Sequence, residues 1–486
     1  MLFEPLFAQA RQQPQATAIV DDRGKYTYQQ LAAMAGGLGM YLSMQTRQPR
    51  VGLLLPAGAG FVASFYGTLL AGKTVVPINF LLGDKEIAHI IADSAIDTVA
   101  TIPLLAGKLK DTPIKVIDLT ALPQNPPAIQ PHFPEPKAED VAVLMYTSGT
   151  SGLPKGVLLT YGNLQSDVDA AIQHAQLKHQ HVFLGVIPLF HSFGMTAMML
   201  APIQLGATIV YMARFSAVGA LKAIREHKVS LMFGVPSMYA AMARLKDAKP
   251  EDFTSIYAMI SGGEPLPAAL REGFKERFGA SIYEGYGLTE TSPVVTLNVP
   301  HNSRPGSVGR TVPGAEVKIT DDNGNALPGE QIGEIWLRGP MIMKGYHNLP
   351  KETAEALTAD GHFKTGDLGK IDADGFLHIT GRKKEMIIIA GEKAYPREIE
   401  DALMAHPAVA EAAVLGKKDP NRGEVIAAFI IPKEGQNPTP DELRDFCRTH
   451  GLAQWKIPRD IQIVPDLPRS PTGKVLKREL ALKLAS

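Results

Sequence analysis

Between residues 16 and 122, short apolar runs of strand length alternate with segments of helical period: residues 17–20, then 28–41, then 51–55. This alternation predicts parallel strands covered by helices, because a helix between two strands returns the chain to the same end of the sheet. At 486 residues, 45% of them hydrophobic, the chain can fill more than one core. Past residue 380 the texture becomes that of one small α+β unit. Ile399, Ala402, Leu403 and His406 suggest a helix, residues 408–415 and 425–431 strands, and residues 441–449 another helix. The expected fold class is therefore α/β: a large multi-layered N-terminal α/β domain over 1–380 and a small C-terminal α+β domain over 381–486. Gly381-Arg382-Lys383-Lys384 is the expected joint.

Two uncharged stretches, 51–72 and 183–213, have the length of a membrane span, but both carry proline and repeated glycine. The first parses as a strand at 51–55, a turn at Pro56, a buried helix at 61–70 and a strand at 75–78. We therefore expect no transmembrane span, leaving peripheral membrane contact open. Residues 1–15 lack a basic start followed by a long apolar run, so no secretory signal is expected. Six prolines between 123 and 136 predict an extended surface connector. Lysine plus arginine equals aspartate plus glutamate at 49 each, so no overall field favours nucleic acid, and phosphate binding must be local. Cys447 is the single cysteine, which excludes an internal disulfide framework and suits a reducing cytoplasm.

After an apolar run comes Tyr146-Thr147-Ser148-Gly149-Thr150-Ser151-Gly152-Leu153-Pro154-Lys155-Gly156. Glycines let backbone N–H groups approach phosphate oxygens, the hydroxyls of Thr147, Ser148, Thr150 and Ser151 add donors, and Lys155 adds charge. The segment suits a polyphosphate, yet it lacks the Gly-x-x-x-x-Gly-Lys-Ser/Thr order of the common phosphate loop. It closely resembles the signature loop of the adenylate-forming enzymes: acyl-CoA synthetases, adenylation domains of peptide synthetases, and firefly luciferase. Among these, the long- or medium-chain fatty acid–CoA ligases are the nearest in pattern.

Further segments carry the same resemblance. Tyr283-Glu284-Gly285-Tyr286-Gly287-Leu288-Thr289-Glu290 matches the family's Tyr-Gly-x-Thr-Glu motif. The likeness implies that Tyr286, beside Gly287, stacks on adenine, that Thr289 meets a phosphate oxygen and that Glu290 binds Mg²⁺. A carboxylate suits that hard cation. In Lys364-Thr365-Gly366-Asp367 the resemblance gives Asp367 the ribose hydroxyls, with Lys364 where the family usually has arginine. Gly381-Arg382-Lys383-Lys384 matches the family hinge, implying a mobile small domain, Arg382 on the nucleotide and Lys384 as pivot. Gly391 would line the thiol's approach, and Lys474 in Pro471-Thr472-Gly473-Lys474 would serve adenylation.

Pro188-Leu189-Phe190-His191-Ser192-Phe193-Gly194 bears on the acid. Amino-acid-activating relatives have aspartate after the phenylalanine to pair an ammonium, whereas His191 stands here, which points to an acid without an α-amino group. His191 would sit at the pocket entrance, and by resemblance Gly262, Gly263 and Glu264 join the pocket. Phe193, Met195, Met198 and Met199 supply either apolar pocket surface or plain core. The expected reaction uses ATP, Mg²⁺ and coenzyme A to convert a carboxylic acid, expected to be a fatty acid, to acyl-AMP and then acyl-CoA. An acyl carrier protein as thiol acceptor, or a non-catalytic acyl or nucleotide binder, are the alternatives.

Overall fold

The computed structural model describes residues 1–122, 134–147, 153–389, 392–419, 423–469 and 475–485. Met1–Leu266, Leu270–Glu316 and Leu337–Phe363 form one compact unit; Pro267–Ala269, Val317–Trp336 and Lys364–Ser486 form a second. Residue 381, where the sequence places the joint, lies within the second unit's strand Leu377–Arg382. The proline-rich connector lies mostly outside the described residues.

The first unit is built on two sheets. One runs, in spatial order, Arg310–Thr311, Val294–Leu297, Ile282–Gly287, Ala258–Ser261, Leu231–Gly234, Val182–Gly185, Thr208–Tyr211, Thr17–Asp21 and Gly24–Thr27. From Ile282–Gly287 to Thr17–Asp21 every neighbouring pair is parallel. The expected α/β layering is thus present, with antiparallel strands added only at the edges. The other sheet runs Gly345–Tyr346, Lys155–Thr160, Val141–Thr147, Thr74–Pro77, Arg50–Leu54, Thr98–Thr101 and Lys115–Asp118. Leu54, Val76, Ile78, Ile90 and Leu144 belong to one buried cluster beneath it.

Both uncharged stretches are interior elements. The first becomes the strand Arg50–Leu54, the helix Ala59–Leu70 and the strand Thr74–Pro77. Inside the helix, the Ser64 and Thr68 hydroxyls donate to the carbonyls of Gly60 and Ser64, which satisfies these two buried donors within the helix itself. The helix Tyr28–Gln45, opened by a Thr27/Gln30 capping box, packs against it where two glycines meet. A Cβ on Gly67 would lie 2.8 Å from the Leu38 Cβ and 3.0 Å from the Ala35 carbonyl oxygen. The second stretch becomes the strand Val182–Gly185, a helical segment from Ser192 to Leu205 with a π turn over Thr196–Leu200, and the strand Thr208–Tyr211. Among the described residues no helix is long and apolar enough to cross a membrane.

Helix Tyr161–Ala175 carries Asp167, which is fully buried. One carboxyl oxygen accepts from the Val294 N–H at 3.0 Å, and burial pushes its pKa well above its ordinary value, against the lowering effect of that hydrogen bond.

The second unit has two sheets. Glu316–Thr320, Gly333–Arg338, Phe363–Ile371 and Leu377–Arg382 make one, its outermost residues reaching past the unit's limits. Glu392–Ala394, Ile387–Ile389, Gly423–Pro432 and Val409–Asp419 make the other, with Asp460–Ile463 added parallel to Gly423–Pro432. The helices Pro396–Met404 and Pro440–Thr449 bury Ile399, Leu403, Leu443 and Cys447 in its core. The helices and strands expected after residue 380 are all present, within a few residues of their predicted limits.

Candidate active site

Parallel strands aim their carboxyl ends at one edge of a sheet, where a crevice collects the loops that follow. In the first unit the segments after Val182–Gly185, Ala258–Ser261 and Ile282–Gly287 are the ones carrying His191, the Gly262-Gly263-Glu264 turn, and Thr289 with Glu290. Their meeting is explicit in the hydroxyls of Ser192 and Thr289, which lie 3.3 Å apart. His191 is exposed at the N-terminus of the short helix Ser192–Met195. Gly262 faces an aromatic ring: a Cβ there would sit 3.2 Å from Phe193. Gly263 adopts a positive φ of 82°, and Glu264 is half-buried beside it. Phe193 in turn packs edge-on against Phe233, with ring centres 6.0 Å apart. Met195, Met198 and Met199 are completely buried and act as core.

Tyr286 and Gly287 end the strand Ile282–Gly287, Tyr286 lying opposite Thr296. The next residues fold into a tight turn, Thr289–Thr291, in which the Leu288 N–H donates to the Thr291 hydroxyl at 2.9 Å. This turn requires glycine at 287, because a Cβ would fall 1.6 Å from the Pro293 carbonyl oxygen. Glu290 is tied at both ends. Its carbonyl accepts from the Met343 N–H at 2.8 Å, and its Oε1 accepts from the Tyr346 hydroxyl at 2.9 Å.

Tyr346 also links Glu290 to the hydroxyl loop. Thr147 and Lys155 are cross-strand partners at the two ends of that loop, whose Ser148, Gly149, Thr150, Ser151 and Gly152 lie outside the described residues. The Lys155 ammonium sits 5.6 Å above the Tyr346 ring, within cation–π range. Burial and the neighbouring Glu290 push the Tyr346 phenol far above its ordinary pKa, so it remains a donor. The sequence reading missed Tyr346. Its strand, Gly345–Tyr346, has two residues, and only pairing with Val157 and Leu158 places it.

Glu290 fits a Mg²⁺ ion by chemistry: it is a hard oxygen donor, half-buried, with the Thr289 hydroxyl next to it in the chain. Mg²⁺ usually takes one or two protein carboxylates and completes its shell with water and substrate phosphate.

In the second unit, Asp367 and Arg382 are register partners on adjacent antiparallel strands, with Nε 3.0 Å from Oδ1. Asp367 is only 4% exposed, and its N–H donates to the Thr365 hydroxyl at 3.0 Å. Lys364, in the place of the family's arginine, lies 5.3 Å from the centre of the Trp336 ring. Lys384 is exposed in the turn Lys383–Glu385. Lys477, just beyond the last motif, reaches Glu400 at 2.7 Å and Glu385 at 3.3 Å. Burial lowers its pKa, but the two carboxylates outweigh this and raise it overall. Gly391 and Lys474 lie outside the described residues.

The chain matches the family description "AMP-binding enzyme" over residues 6–347 and "AMP-binding enzyme C-terminal domain" over 398–474. It is 35% identical to a feruloyl-CoA synthase of an Amycolatopsis species, the match covering 97% of this chain and 96% of that one. It is 32% identical to a long-chain-fatty-acid–CoA ligase of Bacillus subtilis, covering 96% and 91%. The crystal structure of ATP-bound MatB from Rhodopseudomonas palustris superposes with a TM-score of 0.92 at 28% identity, covering 99% of this chain and 98% of that one. With its Thr-Glu turn and its α/β architecture in these places, the chain belongs to the AMP-binding family of adenylate-forming enzymes.

Proposed function

We propose that the protein is an AMP-forming acid–thiol ligase that activates an apolar carboxylic acid with ATP and passes the acyl group to coenzyme A. The observation carrying this reading is the contact of the Ser192 and Thr289 hydroxyls, which brings the segment read as acid-binding against the segment read as phosphate-binding.

The carboxylate must attack the α-phosphorus while pyrophosphate leaves, so two anions are forced together. Lys155 and Lys474 offset their repulsion with positive charge, and Thr289 donates to a phosphate oxygen. Thr147 and the loop through Gly152 cradle the phosphates with hydroxyls and backbone N–H groups. Glu290 would hold Mg²⁺, which adds charge neutralisation on the phosphates when bound. Tyr286 stacks on adenine beside Gly287, Asp367 accepts the ribose hydroxyls, and Arg382 approaches the nucleotide from the same strand pair. Once AMP is the leaving group, a thiol attacks the acyl carbon directly, so no nucleophile of the protein is consumed. The small domain turns about Lys384, offering Lys474 for the first step and the Gly391 face for the second. The buried Cys447 thiol, pushed up to about 11, stays inert and suits a reducing cytoplasm.

The acid is read from this chain's own pocket, since the relatives' names span feruloyl and long-chain fatty acyl groups. His191 offers no partner carboxylate for an ammonium, and Phe193 with Phe233 walls the Gly262 turn with aromatic surface. A panel of straight-chain fatty, hydroxycinnamic, dicarboxylic and α-amino acids, each with ATP, Mg²⁺ and coenzyme A, tests this. Apolar acids are expected to give thioester at least a hundredfold faster than α-amino acids, because burying an unpaired ammonium costs several kcal/mol. Preference for an amino or dicarboxylic acid would refute the pocket reading. Thioester formed on carrier-protein phosphopantetheine but not on coenzyme A would refute the acceptor.

A further inference from the structure

The contacts of Tyr346 single it out among the residues around the nucleotide side of the first unit. Its N–H donates to the Thr353 hydroxyl at 2.9 Å, its strand pairs with the strand that Lys155 opens, its hydroxyl donates to Glu290 and its ring lies under the Lys155 ammonium. The Thr353 hydroxyl itself donates to the Leu349 carbonyl at 2.8 Å, which anchors the segment to the helix Pro350–Ala356. A hydrogen bond to one carboxylate oxygen fixes the rotation of the carboxyl plane, and a ring face fixes where a flexible ammonium rests. We propose that Tyr346 is a positioning residue that sets the Glu290 carboxylate for the divalent cation and holds Lys155 for the phosphates, so that one side chain registers two of the sources of positive charge. The proposal rests on the reading of Glu290 as the metal ligand.

The two halves of the Tyr346 side chain separate by substitution. Tyr346→Phe keeps the ring under Lys155 and removes only the donor. Tyr346→Leu removes both. Binding of Mn²⁺ to the enzyme with α,β-methylene-ATP, followed by electron paramagnetic resonance without any turnover, reads the carboxylate. Calorimetry of the same nucleotide without metal reads the lysine. For Tyr346→Phe, Mn²⁺ affinity is expected to fall about tenfold, the effect of losing one hydrogen bond to a charged group, while metal-free nucleotide affinity and melting temperature hold. For Tyr346→Leu both affinities fall. Glu290→Gln serves as the control. If it weakens Mn²⁺ binding and Tyr346→Phe does not, the positioning role is overturned while the metal reading stands. If Glu290→Gln leaves Mn²⁺ binding unchanged, the metal reading falls and the proposal with it.

Discussion

Lys474→Ala is expected to reduce carboxylate-dependent ATP–pyrophosphate exchange by up to about a thousandfold while leaving conversion of supplied acyl-AMP to thioester within a fewfold of normal. The size follows from electrostatics: a lysine and an oxyanion about 4 Å apart at an effective dielectric near 20 attract by about 4 kcal/mol before desolvation. That energy corresponds to about three powers of ten in rate. The selectivity follows from where charge develops. Pentacoordinate phosphorus needs cations in the first half-reaction, whereas thiol attack on a mixed anhydride places new charge on the acyl oxygen and the departing AMP. Single-turnover assays of the two half-reactions measure both rates, and equal loss in both would contradict the assignment of Lys474 to adenylation.

Gly287→Ala is expected to abolish nucleotide binding and to destabilise the first unit by about 3 kcal/mol. A Cβ at this position would lie 1.6 Å from the Pro293 carbonyl oxygen and 2.6 Å from its carbon, both backbone atoms that no rotamer change can move. The displaced Pro293 carbonyl is also the acceptor of the Thr291 hydroxyl at 2.5 Å, so relief of the clash unlocks the turn that presents Thr289 and Glu290. Gly262→Ala is the contrasting case. Its nearest contact is 3.2 Å, to the Phe193 ring, a side chain able to give way, so nucleotide binding should persist with altered acid preference. Thermal melts and nucleotide titrations of the two variants compare them, and equal nucleotide affinities would show that the turn does not depend on this close approach.

What could be read from the sequence were features whose chemistry is local. Hydroxyls and glycines after an apolar run mark Thr147 to Lys155 as a phosphate-loop candidate on chemistry alone, whereas Tyr286 to Glu290 stand out by their resemblance to a family motif. Buried elements without charge, such as Ala59–Leu70, were equally legible, because proline and glycine break the run too often for a membrane span. The antiparallel sheet of the second unit was passed over, although it carries a signal. Asp374-Gly375 joins Phe363–Ile371 to Leu377–Arg382, with Gly375 at a φ of 83° and the Asp372 carboxylate accepting from the N–H groups of Asp374 and Phe376. An aspartate–glycine pair between two apolar-alternating runs is a hairpin mark.

Tyr346 is a different matter. It meets Glu290 across 56 residues of sequence, through a register set by pairing in another sheet, and no local pattern encodes that. The methionines after Phe193 show the converse limit. Their spacing permits both pocket and core, and only burial assigns Met195, Met198 and Met199 to the core.

An acid carrying ¹⁸O in both carboxylate oxygens, turned over with ATP, Mg²⁺ and coenzyme A, reports which phosphorus is attacked. Mass spectrometry should find one ¹⁸O in each AMP formed and none in pyrophosphate, since the oxygen that bonds to the α-phosphorus stays there when the thiol takes the acyl group. Unlabelled AMP, or label in the phosphates released, would place the chemistry elsewhere and contradict an acyl-adenylate.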